Sequence, residues 1–457
     1  MLIAGLIFYL LITIALGYLA SKKIHNSTDF VVAGRHLPLH LCVFTTFATW
    51  FGSETILGAP AEFLEKGVIG IIEDPFGAAL CLLLIGLFYA RPLYKLNILT
   101  FSDFFKLKFG KKAEMLSAIL MIISYFGWIA AQFVALGIAL QLTLNINFTL
   151  GIAIGATLVI FYTLLGGMWA ISYTDFFQSI VIIIGLGILF TVLLIQTNGI
   201  MPIFEKAPPD FFRWYPKPNF TDTMTYVAAW IGLGLGSIPQ QDVFQRVTSA
   251  KTANQSAYSA YIAAALYLVI GTLPLLIILC AKHLYPDVVN QNPQEALLQV
   301  TLNHLNPILQ ILFFGALISA ILSTASGAIL APATVLAENI IKPLKPQMAD
   351  KQLLKTIKIA IILIGFISFL ISLLETNIYE LAREASTFGL VSLFVPLTAG
   401  LFWKKASPAG ALAAMAVGLS VWLIAHFLPI EIEPLFSGLF ASIISQIVFS
   451  YLYPKSK

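Results

Sequence analysis

Charge is what this 457-residue chain has least of. Only 11% of its residues are Asp, Glu, Lys or Arg, 59% are hydrophobic, and mean hydropathy is +0.90. A soluble domain carries about 25% charged residues, so a water-facing globule is excluded, and no stretch is left over for a separate soluble domain. Cysteine is sparse as well. Cys42, Cys81 and Cys280 all fall within or at the ends of apolar segments, which argues against a disulfide framework and against cysteine metal spacing. The six histidines, His25, His36, His40, His283, His304 and His426, mostly lie near the ends of apolar segments and form no pair at metal-ligand spacing. Without convergent catalytic groups the chain does not read as an enzyme, and no catalytic residue or cofactor is expected. A net charge of +4 supplies no basic folded domain for nucleic acid.

What the chain has is apolar length. A membrane-crossing helix needs about 20 apolar residues. Thirteen candidate spans are centred near Leu11, Gly52, Leu83, Trp128, Ile154, Ile184, Gly232, Leu266, Ile321, Leu363, Leu390, Met415 and Ile443. The expected fold is an all-α polytopic membrane protein. The first stretch, 2–20, has no basic residue before it and no clear cleavage site, whereas Lys22 and Lys23 follow it, as expected of a retained span with its N-terminus outside. Other loops agree. Lys106, Lys108, Lys111 and Lys112, the run from Lys342 to Lys358, Lys404 and Lys405, and the tail Lys455 and Lys457 fall on the expected cytoplasmic side. Only Lys66, Lys206, Arg213, Lys217, Lys282 and Arg383 fall outside. The expected topology is N-terminus out and C-terminus in, within an inner or plasma membrane, with the positive charge serving orientation and lipid contact.

Residues 313–339, FFGALISAILSTASGAILAPATVLAEN, have membrane-spanning length and one small, hydroxylated face. Ala320, Ser323, Thr324 and Gly327 fall at i, i+3, i+4 and i+7 and stack in one stripe, with Ser326 beside it and Ser319 one turn earlier. Such a stripe lets helix backbones approach closely. The same carbonyl and hydroxyl oxygens can also replace the water around a small hard cation. Two spans are expected to break. The second contains ATWFGSET followed by Gly58 and Pro60; the seventh contains Gly232, Gly234, Gly236, Ser237 and Pro239, followed by Gln240, Gln241 and Asp242. Non-helical backbone at bilayer depth is tolerated only where protein or a wet cavity satisfies it. These two spans lie five apart, as in transporters whose discontinuous helices occupy corresponding positions of inverted repeats.

Several motifs then occur in a telling order: DFVVAGR at 29–35, ATWFG in the second span, LLGGMWAISYTDFFQ approaching the sixth, IPQQDVFQR closing the seventh, and ISAILSTASGAIL in the ninth. The chain resembles the sodium:solute symporter family along nearly its whole length, nearest to the choline-transporter branch. The resemblance implies one transmembrane transporter domain over 1–457: an additional N-terminal helix and cytoplasmic link at 1–38, two inverted five-helix repeats at 39–403, and two C-terminal helices at 404–457. It also implies a sodium ion held by the carbonyls of Ala48, Phe51 and Ala320 and the hydroxyls of Ser323 and Thr324. A second sodium position, found in some members, would use Asp175, Ser323, Ser326 and a further hydroxyl. Gly327 stands in that last place, so Asp175 can instead belong to a hydrogen-bond network.

In the choline branch, aromatics surround a quaternary ammonium, which is attracted to their faces. Trp50 and Trp128 resemble members of that cage, although large aromatics also serve simply as packing. Gln240 replaces a third aromatic, and Glu54 stands where the branch tends to have Gly. Glu73 and Asp74 precede Pro75, as a helix cap or as ligands. The expected cavity, formed by Trp50, Glu54, Trp128, Gln240 and Gln241, is more acidic and less aromatic than a choline cage. It suits a small polar nitrogenous solute: an amine, an amino acid or a quaternary ammonium. Asp242 and Arg246, one helical turn apart, are expected to form an ion pair, at an inner gate or merely at a helix end. Arg383 and Glu384 mark an outer gate or a solvated rim. The implied function is sodium-coupled symport by alternating access, for which a monomer is sufficient. The alternatives are a proton-coupled symporter, a channel, and a transporter-like solute sensor acting through a partner, since the short tail after Tyr453 carries no output domain.

Overall fold

The structure, a computed structural model, describes residues 1–428 and 433–455; Lys457, assigned above to the cytoplasmic side, lies outside the described residues. Among the described residues the chain is all-helical, apart from one isolated backbone bridge between Leu37 and Ala250. It is an integral, multi-pass membrane protein. Among the described residues ten helices, where thirteen spans were expected, are long and apolar enough to cross a membrane.

The difference in count comes from breaks. Phe148–Gln196 runs for 49 residues and holds two expected centres, Ile154 and Ile184, but it turns sharply at Gly167 (φ 49, ψ −153). That left-handed backbone suits glycine, and a Cβ there would lie 2.4 Å from Phe30 O. The second expected span is divided into Leu39–Trp50, only 12 residues long, and a segment that resumes at Glu54 and continues through bends to Lys95. The seventh is divided into Phe220–Gly236 and Gln241–Ser249, of 17 and 9 residues. Leu39–Trp50 and Gln241–Ser249 are each too short to span a bilayer alone.

Helix starts follow local chemistry. Asn147 accepts from Leu150 N at 2.7 Å, Thr252 from Gln255 N at 3.2 Å, and Ser407 from Gly410 N at 3.2 Å. Asn306 accepts from Ile308 N and Leu309 N, both at 3.1 Å, with Pro307 in the first helical position. Each side chain satisfies amides that the first turn leaves free.

The centre of the bundle is Pro307–Val335, buried at every residue from Phe313 to Val335. It packs against Phe148–Gln196, Lys111–Leu144 and Leu39–Trp50. The periphery is apolar in the opposite sense: Phe8 and Leu11, Ile359 and Phe366, and Phe440 and Ile444 are exposed on outer helices. Such faces suit lipid rather than water.

Alternate links gather at opposite ends. At the lysine-rich end, Arg35 Nη2 donates to Ile98 O at 2.8 Å, Leu37 N to Ser249 O at 3.0 Å, and Tyr94 OH to Lys251 O at 2.9 Å. At the other end, Val68 N donates to Phe211 O at 2.9 Å, the rings of Phe76 and Trp214 meet at 4.6 Å, and Gln294 Nε2 donates to Thr376 O at 3.1 Å.

Candidate ion and solute site

Leu39–Trp50 ends where Phe51 turns to φ −85, ψ 75. In an unbroken helix the Gly52 amide would bond to Ala48 O. It donates instead to Trp50 O at 3.1 Å. Ala48 O is thereby left to side chains: the Thr324 hydroxyl donates to it at 3.1 Å, and Ser323 Oγ lies 3.0 Å away. Ala48, Ser323 and Thr324 are completely buried. Ala320 is buried on the same central helix, one turn before Thr324. The hydroxylated stripe and the broken helix therefore face each other, and their neutral oxygens suit a hard cation.

Beside this cluster, Ser323 Oγ lies 2.6 Å from Asp175 Oδ1, while the Thr45 hydroxyl donates to Asp175 Oδ2. The Ser326 hydroxyl turns back onto Ser323 O at 3.0 Å. A Cβ on Gly327 would fall 2.3 Å from Arg246 Nη2, so a guanidinium lies directly against the glycine. Arg246 is only 1% exposed, and its Nε and Nη2 have no hydrogen-bond partner among the described residues. The expected ion pair between Asp242 and Arg246 is not formed. Tyr125 OH binds Asp242 Oδ1, and Arg246 Nη1 reaches only Asp242 O at 3.4 Å and Gln245 Oε1 at 3.5 Å.

A cavity of about 30 Å³ lies beside the two breaks, lined among others by Trp50, Glu54, Trp128, Gln240, Tyr267 and Arg383, with Glu73 and Asp74. Glu54 Oε1 accepts from Trp128 Nε1 at 3.1 Å and Oε2 from Gln132 Nε2 at 2.9 Å. Gln132 Oε1 in turn accepts the Ser53 amide at 3.0 Å. One amide side chain thus satisfies a backbone group at the break and holds the carboxylate beside the indole.

Gln241 departs from expectation. Its Oε1 accepts from Phe101 N at 2.8 Å and its Nε2 donates to Leu99 O at 3.4 Å, so it braces a neighbouring loop and is absent from the cavity lining. Arg383 forms ion pairs with Glu380 at 2.6 Å and Glu384 at 3.7 Å at the cavity rim. The sequence reading missed Gln132, Tyr125 and Tyr267. Tyr125, Trp128 and Gln132 fall at i, i+3 and i+7, a polar stripe that periodicity could have flagged. Tyr267 has no comparable pattern around it.

The sodium:solute symporter family model matches residues 30–418. The chain is 29% identical to the high-affinity choline transporter 1 of Drosophila melanogaster, over 92% of this chain and 70% of that one. It is 25% identical to the high-affinity proline transporter PutP of Bacillus subtilis, over 90% and 89%. In fold it is similar to the substrate-bound, outward-open state of a Na+-coupled sialic acid symporter, with a TM-score of 0.85 and 21% identity over 99% of this chain and 98% of that one. The chain belongs to the sodium:solute symporter family and is accordingly a sodium-coupled transporter of small solutes, not an enzyme.

Proposed function

We propose that this protein imports a small polar nitrogenous solute together with one sodium ion by alternating access. The observation that carries this reading is the meeting of Ser323 and Thr324 at Ala48 O, next to a cavity in which Glu54 is held against Trp128. Sodium is assigned to the carbonyls of Ala48, Phe51 and Ala320 and the hydroxyls of Ser323 and Thr324. Binding there joins the broken helix to the central helix and orders Trp50 and Glu54, which flank the same break. The lysine-rich end is assigned to the cytoplasm, and 39–403 to two inverted five-helix repeats between an N-terminal helix and two C-terminal ones.

A single ion is favoured by the surroundings of Asp175. Its oxygens are engaged by Ser323 and Thr45, and Arg246 fills the space against Gly327 where a further hydroxyl would stand. One ion is sufficient energetically. A positive charge moving down about 100 mV releases about 2.3 kcal/mol, and a tenfold sodium gradient adds about 1.4 kcal/mol. Together these sustain roughly 500-fold accumulation of a neutral solute.

For the solute, acidity outweighs aromaticity. Glu54, Glu73 and Asp74 share the cavity with Arg383 as its one basic lining residue. Sialic acid, carried by the structural relative, is an anion and would meet these carboxylates. Choline and proline, carried by the other relatives, are nitrogenous, which agrees with the reading. Sodium-driven uptake into proteoliposomes, screened over amines, amino acids, betaines and sugars, tests it. A sugar that is accumulated equally well by the Glu54→Gln variant would overturn the solute class; binding without accumulation of any solute would favour a sensor.

A further inference from the structure

The cavity contains acceptors that the protein does not serve. Glu73 and Asp74 are only 6% and 2% exposed, yet Glu73 Oε1 and Asp74 Oδ2 have no hydrogen-bond partner among the described residues. Glu54, by contrast, has a donor at each oxygen. The shortage extends to Tyr267. Its hydroxyl lies 2.7 Å from Asp74 Oδ1 and 3.0 Å from Trp50 O, and one phenolic hydrogen cannot serve both acceptors. Arg383 spends its guanidinium on Glu380 and Glu384, and among the described residues no ion pair reaches Glu54, Glu73 or Asp74.

Buried acceptors without donors are destabilising, and buried carboxylates without a counter-charge more so. A partner that brings both positive charge and N–H bonds would satisfy these acceptors. A quaternary ammonium has the first and lacks the second.

Building on the proposed solute transport, we infer that the cavity holds two cationic subsites and that the solute is a dication with N–H donors at both ends. One ammonium binds Glu54 against the faces of Trp50 and Trp128. The second binds Asp74 Oδ2 and Glu73 Oε1, supplying the donors that Tyr267 cannot. The class is that of short linear diamines and diamine-like cations.

The test is equilibrium binding to the purified full chain in sodium, comparing putrescine with butylamine, which has the same carbon chain and one ammonium, and with choline. Putrescine should bind about 10- to 100-fold more tightly than butylamine, the range for a gained set of charged hydrogen bonds. Asp74→Asn and Glu73→Gln should each narrow that ratio. The wild-type ratio is decisive by itself should a variant fail to fold. Butylamine or choline binding as tightly as putrescine would overturn the inference, because a single cationic subsite would then suffice. Absence of all amine binding, with sodium still raising the unfolding temperature, would overturn it while leaving sodium coupling intact. Loss of any sodium effect would overturn the coupled reading on which it rests.

Discussion

Removing the hydroxyls of Ser323 and Thr324 one at a time should have unequal effects, although both touch Ala48 O. Thr324 makes one neutral contact, at 3.1 Å. Ser323 makes a comparable contact at 3.0 Å and also lies 2.6 Å from a carboxylate oxygen of Asp175. Donation to that carboxylate enriches the Ser323 oxygen as a cation ligand. A neutral hydrogen bond contributes about 0.5–1.5 kcal/mol and one to a charged group about 1.5–3 kcal/mol. Thr324→Ala should therefore raise the half-saturating sodium concentration roughly 3- to 10-fold, and Ser323→Ala roughly 10- to 100-fold. Thr324→Ser should stay near wild type. The measurement is solute uptake into proteoliposomes across a sodium series, paired with sodium-dependent thermal stabilisation of the purified variants. An equal or larger effect at Thr324 would refute the role given to Asp175. Unchanged sodium dependence in both alanine variants would refute the ion site itself.

Three other substitutions probe the surroundings. Gly327→Ala places a carbon 2.3 Å from Arg246 Nη2 and should lower stability by about 1–3 kcal/mol, read from the unfolding temperature; Gly327→Ser should leave the bound-sodium stoichiometry at one in equilibrium dialysis. Tyr267→Phe removes the hydroxyl shared by Trp50 O and Asp74 Oδ1 and should raise the solute half-saturation roughly tenfold in uptake assays. Gln241→Ala leaves the Phe101 amide without its acceptor, so it should cost about 1–3 kcal/mol of stability while moving solute half-saturation less than about threefold.

How much of this was legible in the sequence depended on whether the signal was local. The Ala320, Ser323, Thr324 and Gly327 stripe follows from helical period alone, and the glycines and prolines of the second and seventh spans announce backbone that cannot stay helical. Partners across the bundle were not legible. Gln240 and Gln241 are neighbours, yet one precedes the inner half-helix in extended backbone (φ −86, ψ 140) and faces the cavity, while the other begins the helix and points to Phe101. Asp242 and Arg246 have the spacing of an ion pair, but Tyr125 takes the carboxylate and Gly327 receives the guanidinium, both from helices distant in sequence. Length and hydropathy give ten helices instead of thirteen for a related reason. Hydropathy windows see the apolar halves on each side of a break, whereas the backbone divides some spans and runs others together.

The peptide from Ser27 to Leu37 lies outside both proposed repeats, yet it ties four separate parts of the bundle together. Ser27 N donates to Asp350 Oδ2 at 3.0 Å, Arg35 holds Ile98 O, Phe30 O sits beneath Gly167, and Leu37 N donates to Ser249 O at 3.0 Å. The half-helix Gln241–Ser249, buried along its whole length, is fastened at its end by that last bond. Tilting this half-helix outward must either carry the peptide along or release the bond, at about 1 kcal/mol. A bond that weak can be released and remade in every transport cycle. Turnover, rather than affinity, is the property that a change in this short strap should alter.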